Sequence, residues 1–424
     1  MIIKNPKGTK DYFPEEMARR IKVMNSIRQV FTAYGYGEIS TPAFEYLEVL
    51  EKKGALGDEN VKDVYRIKDK GDRWLGLKFD MTTPISRVIA SNPELIKPTK
   101  LFYITNMWRY ENPQKGRLRE FWQAGIEYIG TNNRISDAEI LAVTYDSLIK
   151  LGIKDFVFKI NSRQILDGLA NSLNVTDKES FYKLLDKKDK LPKEDWTSQL
   201  KDLFDNKENY QRFLELIDLS GQPLIEKIKS IASTEVNSLQ EIINFSKILG
   251  VDEKVLVPDL SVVRGLDYYT GFIFETYKLG HEKLGSLASG GRYDNLVISA
   301  RGDKEPSTGM AIGIERIMEF VPDEHFVSLK EKKILVIPLG DAAQKVSLSI
   351  SRNLRDRGLS CETELSNRNL KKILSVANER GIDYTIIIGD NEINSNNFVI
   401  KNMHKKEQKT LNLEELVKYI KNDN

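Results

Sequence analysis

The sequence predicts an α+β protein in which a sheet-bearing region is interrupted by helices and followed by a small α/β domain. Three observations predict it. Alternating apolar and polar residues mark strands at 73–80, 100–110 and 119–129, the last two joined into a hairpin by the polar loop ENPQKGRL. Residues 162–250 are rich in Lys, Leu, Asp and Ser, with helical periodicity and few strand signals, so they read as a helical insertion. From residue 332, strand and helix alternate through KKILVIPLG, CETELS and DYTIIIGD, then a hairpin and LEELVKYI. The expected division is therefore 1–161, 162–250, 251–325 and 332–424, with a linker beginning at Pro322.

Taken in order, residues 14–35 predict an amphipathic helix. Pro14 suits its first turn, Glu15 and Glu16 its positive end, and Gly35 its stop. GEISTPAFEYLEVLEK predicts a short strand broken by Pro42, then a helix. TTPISRVIAS predicts a helix with Thr83 as N-cap and Pro84 at its first position. After the hairpin come a helix over 136–151 and a strand over 156–161. Beyond the insertion, FIFETYKL reads as a strand, SLASGGRYDNLV as a Gly-rich segment and GMAIGIERIMEFV as an apolar helix.

Composition narrows the function. The 424 residues carry 40% hydrophobic and 30% charged residues, an ordinary soluble profile, and no run approaches the roughly 20 apolar residues needed to span a bilayer. The opening MIIKNPKGTKDYFPEE has no apolar core, which excludes a signal peptide. The single cysteine, Cys361, excludes an internal disulfide and a Cys-rich zinc site. His281, His325 and His404 are scattered, against a histidine metal centre or a Ser-His triad. No metal ligands are therefore assigned, and a reducing, cytoplasmic compartment is expected. Net charge is +2, but residues 332–424 hold 16 Lys and Arg against 12 Asp and Glu, a small basic excess that suits a solvated surface or RNA. There is no GxxxxGK[ST], GxGxxG or GxSxG.

Four polar clusters carry the chemistry. In the hairpin, Arg109 and Glu111 are two residues apart, as are Gln123, Gly125 and Glu127, so each set shares a sheet face. Such charges could be cross-strand pairs in solvent. The flanking Phe102, Tyr103, Trp108, Phe121, Trp122 and Ile126 favour a floor beneath a ligand. VVRGLDYYTGFIFE sets Arg264 beside a glycine, Asp267 and the pair Tyr268 and Tyr269. LASGGRYDNL is a weaker signal, since two glycines also make a bulge. GMAIGIERIM places Arg316 in an apolar run, where a guanidinium needs an anion, either a carboxylate or a phosphate. Arg109, Arg264 and Arg316 together suit a polyphosphate bound by forked guanidiniums.

With these residues in view, the chain resembles the histidyl-tRNA synthetases, a family of class II aminoacyl-tRNA synthetases. GTKDYFPEE resembles the family's opening, EISTPAFE its dimer-forming first motif, WRYENPQKGRLREFWQAGIE its second and GMAIGIERI its third. RGLDYYTGFIFE and SGGRYD resemble two histidine-specific signatures. The resemblance implies an antiparallel sheet flanked by helices, a helical insertion and a C-terminal α/β anticodon-binding domain. It implies activation of L-histidine with ATP and Mg²⁺, transfer to tRNA(His), and a homodimer. By position, Asp80, Met81, Thr82 and Gln123 match residues that hold the amino acid's backbone groups, Glu127 and Tyr269 those that read the imidazole, and Tyr268 lies beside them. Arg109 and Arg264 match α-phosphate cations, Glu111 the adenine contact and Arg316 the arginine at the ATP tail. Gln114, Arg117, Arg368 and Lys371 are the tRNA-binding candidates. Asn112 stands where a basic residue is frequent, and Trp122 where histidine is common. Asp80 stands where many bacterial members have glutamate. Two rival readings are a synthetase-like regulatory subunit of ATP phosphoribosyltransferase and a tRNA sensor module of the kind fused to a kinase. Both usually lose features kept here, namely the C-terminal domain or intact arginines.

Overall fold

A computed structural model describes residues 3–51, 63–114, 116–188, 191–263, 268–299, 301–329, 332–366 and 368–422. It divides into two compact units, Met1–His325 and Phe326–Asn424.

The first unit is built on an eight-stranded sheet of β1 (Gly37–Glu38), β5 (Thr99–Trp108), β6 (Glu120–Ile129), β7 (Phe156–Ser162), β8 (Leu256–Pro258), β9 (Phe272–Lys278), β10 (Ala288–Arg292) and β11 (Ser307–Gly313). Its order is β1-β5-β6-β11-β10-β9-β7-β8, antiparallel throughout except for parallel pairs at the two edges. A smaller antiparallel sheet joins β2 (Phe44–Tyr46), β3 (Arg66–Lys68) and β4 (Trp74–Leu77) in the order β2-β4-β3. The longest pair, β5 and β6, runs in register from Thr99↔Ile129 to Trp108↔Glu120. This is the symmetric pairing expected of a hairpin whose loop is centred near Gln114.

The helix Pro14–Ala33 forms as its sequence predicts, with Pro14 at the start and Val23, Ile27 and Phe31 buried at helical spacing. Phe31 meets Phe102 of β5 edge to face, which docks the helix on the sheet. The helix Arg134–Lys150 packs beside it and is capped by Asn133, whose side chain accepts from Ile135 N at 2.9 Å. Six helices occupy Arg163–Ser172, Lys178–Asp186, Lys193–Lys201, Lys207–Ile217, Gly221–Ile228 and Ser233–Ile248, between β7 and β8. Phe181, Phe204 and Phe213 pack ring to ring among them, and the last helix lies along Arg134–Lys150.

Three expectations need correction here. GMAIGIERIMEFV is not one helix, because its first half is the end of β11 and only Ile314–Met318 is helical. β11 lies between β6 and β10, where Gly309 lets β6 approach, and tertiary pairing overrides apolar helical periodicity. Thr83 is not an N-cap. The helix is Thr82–Ser91, and Asp80 Oδ1 accepts from Thr83 N at 3.2 Å. Arg109 and Glu111 lie beyond the end of β5 rather than on it.

The second unit is a five-stranded sheet of β12 (Ile334–Pro338), β13 (Cys361–Thr363), β14 (Tyr384–Ile388), β15 (Phe398–Asn402) and β16 (Gln408–Leu411), in the order β13-β12-β14-β15-β16. The first three strands are parallel and β15 and β16 antiparallel. Helices Asp341–Asp356, Leu370–Glu379 and Leu413–Asn422 accompany them, with a short helix Asp390–Ser395 that periodicity did not mark. The two faces of β12 feed separate apolar clusters, Ile334 and Val336 on one side and Leu335 and Ile337 on the other. The helix after β13 begins at Leu370, after an Asn369 cap. Arg368 therefore precedes it, while Lys371 and Lys372 are exposed on its first turn. Among the described residues no helix is long and apolar enough to cross a membrane.

Candidate active site

A cavity of about 720 Å³ opens over the central sheet of the first unit. Asp80, Thr82, Arg109, Glu111, Arg117, Gln123, Glu127, Tyr268, Tyr269 and Arg316 all line it, so residues up to 236 positions apart converge. Met81 does not. Its side chain is buried in the cluster of Ile85, Ile89 and Met107, and its sulfur accepts from the Thr41 hydroxyl at 3.4 Å. Arg264, with its neighbours 265–267, lies outside the described residues. Gln114 borders a smaller adjoining cleft with Asn112, Arg117 and Arg119. Arg368 and Lys371 belong to the second unit.

At one end the cavity is acidic and aromatic. Glu127 projects from β6, 3% exposed, and its Oε1 accepts from the Thr82 hydroxyl at 2.9 Å while its Oε2 is buried without a partner. Burial pushes its carboxyl well above the usual range, with the nearby Asp80 charge adding to that and the Thr82 hydroxyl opposing it. Burial likewise raises Asp80 to about 6, against the pull of Thr83 N–H and Arg109. The rings of Tyr268 and Tyr269 lie 4.4 Å apart with their hydroxyls hydrogen-bonded, and burial raises Tyr268 to about 12. One buried and one part-buried carboxyl that both line the cavity make a place for a positively charged, hydrogen-bond-donating group.

The floor exists because two glycines omit side chains. Tyr103 folds across Gly125, its partner in register, where a Cβ would fall 2.4 Å from the phenol oxygen. Gly309 lies opposite Glu127, where a Cβ would fall 2.1 Å from Oε2 and 2.6 Å from the Ile126 carbonyl. Gly309→Ala is therefore expected to lower stability by about 1–3 kcal/mol, because backbone cannot yield, and to displace Glu127. A lower melting temperature checks this.

The cavity also carries cations, and Arg109 lies near enough to Asp80 to oppose its rise. Arg109 Nε donates to the Phe79 carbonyl at 3.0 Å, and its guanidinium lies 5.1 Å from the Phe121 ring and 3.9 Å from Glu111. Glu111 is also paired with Arg117. Arg316 Nη1 donates to the Ser286 carbonyl at 2.6 Å, which turns its fork along the cavity wall. Fixed guanidiniums on one side of such a cavity suit phosphate oxygens.

Comparison with known proteins fits this geometry. Residues 8–317 match the family described as histidyl-tRNA synthetase. The chain belongs to the histidyl-tRNA synthetase family. Residues 333–423 match a second family, the anticodon binding domain. The chain is 37% identical over 431 residues to a histidine–tRNA ligase of Pyrococcus furiosus, covering 99% of each chain. It is 36% identical over 427 residues to one of Methanocaldococcus jannaschii, covering 99% of this chain and 100% of that one. It superimposes on the crystal structure of histidyl-tRNA synthetase from Nostoc sp. PCC 7120 with a TM-score of 0.82 at 28% identity, covering 99% of both. The expected class II fold, an antiparallel sheet flanked by helices with an anticodon-binding domain after it in the chain, is the fold of this family member.

Some cavity residues escaped sequence reasoning. Tyr103 is not among them, since the sequence already places it in the floor and the hairpin centred at Gln114 pairs it with Gly125. Tyr293, Tyr182, Lys183 and Lys187 also line the cavity, the last three from or beside the helix Lys178–Asp186, which composition assigned to a separate insertion.

Asp80 gives a signed pH prediction. Its folded carboxyl titrates near 6, above the roughly 3.9 of an unfolded aspartate. The native state then holds a proton that the unfolded chain releases between about pH 4 and 6, so Asp80 lowers stability as pH rises through that window. Asp80→Asn should stabilise the ligand-free protein by up to about 3 kcal/mol at pH 7.5 and little at pH 4, while weakening histidine binding. Melting temperatures at both pH values test it, and a larger gain at the lower pH would refute it.

Proposed function

We propose that this chain is a histidine–tRNA ligase that activates L-histidine with ATP and then esterifies tRNA(His). The observation that carries the reading is one cavity that brings buried Glu127, part-buried Asp80 and the paired tyrosines together with Arg109 and Arg316. Histidine enters with its ammonium near Asp80, Thr82 and Gln123. Its imidazole lies against Glu127 and Tyr269, with Tyr268 behind. Adenine stacks on Phe121 and meets Glu111, the phosphates lie against Arg109 and Arg316, and Arg264 is assigned to the α-phosphate by its match to the family's cation there.

A carboxylate oxygen of histidine attacks the α-phosphorus, a C–O–P link forms and pyrophosphate leaves. A terminal ribose hydroxyl of tRNA then attacks the carbonyl carbon and AMP leaves. Neither step needs a protein nucleophile, since positioning and charge neutralisation supply most of the acceleration. Magnesium fits this site as part of the nucleotide. Among the described residues no group of three or more His, Cys, Asp or Glu could hold a metal alone, and one or two wall carboxylates such as Glu111 and Glu275 suit an ion held mainly by phosphate. Bound there, it would neutralise phosphate charge.

The acceptor end of tRNA meets Gln114 and Arg117, and the second unit meets the anticodon through Arg368 and Lys371. The anticodon-binding match over 333–423 favours this reading over the regulatory subunit. The working form is a cytoplasmic homodimer, supported by Phe44 and Tyr46, about half exposed on β2 in the segment that resembles the first class II motif. The four segments 1–161, 162–250, 251–325 and 332–424 act as split catalytic domain, insertion and anticodon domain. Histidine-dependent ATP–pyrophosphate exchange tests the activity. Exchange supported equally by other amino acids, or absent, would overturn it.

A further inference from the structure

The opening segment and the first helix join the site through a buried ion pair that the reaction as described does not use. Arg20, 3% exposed on the helix Pro14–Ala33, donates to Glu315 Oε1. Glu315 accepts in addition from Trp122 N at 3.0 Å through each oxygen. The Arg20 guanidinium lies 4.2 Å from the Tyr12 ring centre and 5.8 Å from that of Trp122, in an aromatic slot. Nearby, the Gly8 carbonyl accepts from Arg119 N at 2.7 Å, so the opening segment grips the root of β6 at a second point. A Cβ at Gly8 would fall 2.7 Å from Arg119 Cγ and 2.9 Å from Pro113 Cγ, so the approach requires glycine.

The sequence neighbours of this junction matter most. Trp122 precedes Gln123, and Glu315 precedes Arg316, and both followers line the cavity. Glu315 is thus a cross-tie between the strand presented to histidine and the helix start presented to the nucleotide, and Arg20 is the cation that keeps it aimed. A part-buried carboxylate deprived of its cation would turn toward the open cavity, releasing the tie.

We propose that Arg20 is a positioning residue for adenylate formation, setting the register of the Gln123 strand against the Arg316 helix through Glu315. The inference rests on the ligase reading above. Each half-site stays intact without Arg20, so what is lost is the alignment of carboxylate and α-phosphorus, and misplacement of about 1 Å can cost 10²-fold. The test is histidine-dependent pyrophosphate exchange with the full chain, assayed at a fixed interval below each variant's melting temperature. Arg20→Met should lower kcat by roughly 10–10²-fold with both KM values within about threefold of wild type. Arg20→Lys, which keeps the charge but not the fork, should recover part of the loss and serves alone if the Met variant does not fold. Arg20→Met combined with Glu315→Gln should be no slower than Arg20→Met, because both act through one tie. A purely structural role predicts a lower melting temperature with kcat near wild type, and that result overturns the proposal, as do additive losses in the double variant or a kcat of Arg20→Lys equal to wild type. Wild-type exchange that ignores histidine would instead overturn the ligase reading.

Discussion

Glu127→Ala should raise the KM for histidine by roughly 10–10²-fold while that for ATP changes only a few-fold. A hydrogen bond to a charged group contributes about 1.5–3 kcal/mol, and about 1.4 kcal/mol is a factor of ten. Neutral imidazole presents one donor and one acceptor, and a pocket that reads it must supply the complement of both. Glu127 has the means: Oε1 is engaged by Thr82, and Oε2 is buried with no partner. The Tyr269 hydroxyl can serve the second nitrogen, so Tyr269→Phe should act in the same direction and more mildly. Burial makes the discrimination strong, because an amino acid lacking a ring N–H would leave that oxygen dry and unpaired. If Glu127 only braces the sheet, its loss would lower the melting temperature and weaken both substrates alike. Measuring the two constants in pyrophosphate exchange separates these cases, and an unchanged histidine constant would remove Glu127 from the pocket.

Removing residues 326–424 should leave histidine activation within a few-fold of the full chain and reduce tRNA charging by two orders of magnitude or more. The first unit, Met1–His325, is compact by itself and contains every described residue of the cavity. The second has its own core, centred on Val336, Ile386 and Ile400, and exposes Arg368, Lys371 and Lys372. Lysines and arginines that neutralise RNA phosphates release counterions, so removing them weakens binding and also flattens its dependence on salt. The truncated protein should therefore show a shallower salt response in tRNA binding. Exchange and charging assays on the same preparation report both halves of this expectation. Equal charging by the truncated and full-length proteins would refute the anticodon role.

How much could be read in advance depended on whether the signal was local. The hairpin of β5 and β6 was legible because alternation and a polar loop are short-range properties, and its symmetry about Gln114 contains the register that puts Tyr103 over Gly125. The helix at Pro14 and the β12 core strand were legible for the same reason. The boundary inside GMAIGIERIM was not. Its apolar spacing serves a helix equally well, and only insertion between β6 and β10 makes Ser307–Gly313 a strand.

By itself, then, the sequence determined the class of fold, the two-part chain and the residue types that line the cavity, since these follow from periodicity, turn chemistry and the company that arginines and carboxylates keep. Tertiary structure alone decided which of those residues share a dielectric. Asp80 and Glu127 are 47 positions apart, yet burial beside one another raises both carboxyls. Met81, adjacent to Asp80 and Thr82, turns into the core instead. Arg20 finds Glu315 across 295 positions, a pairing to which no local pattern points. Desolvation and close packing depend on what surrounds an atom in space, and a chain brings those surroundings together only when it folds.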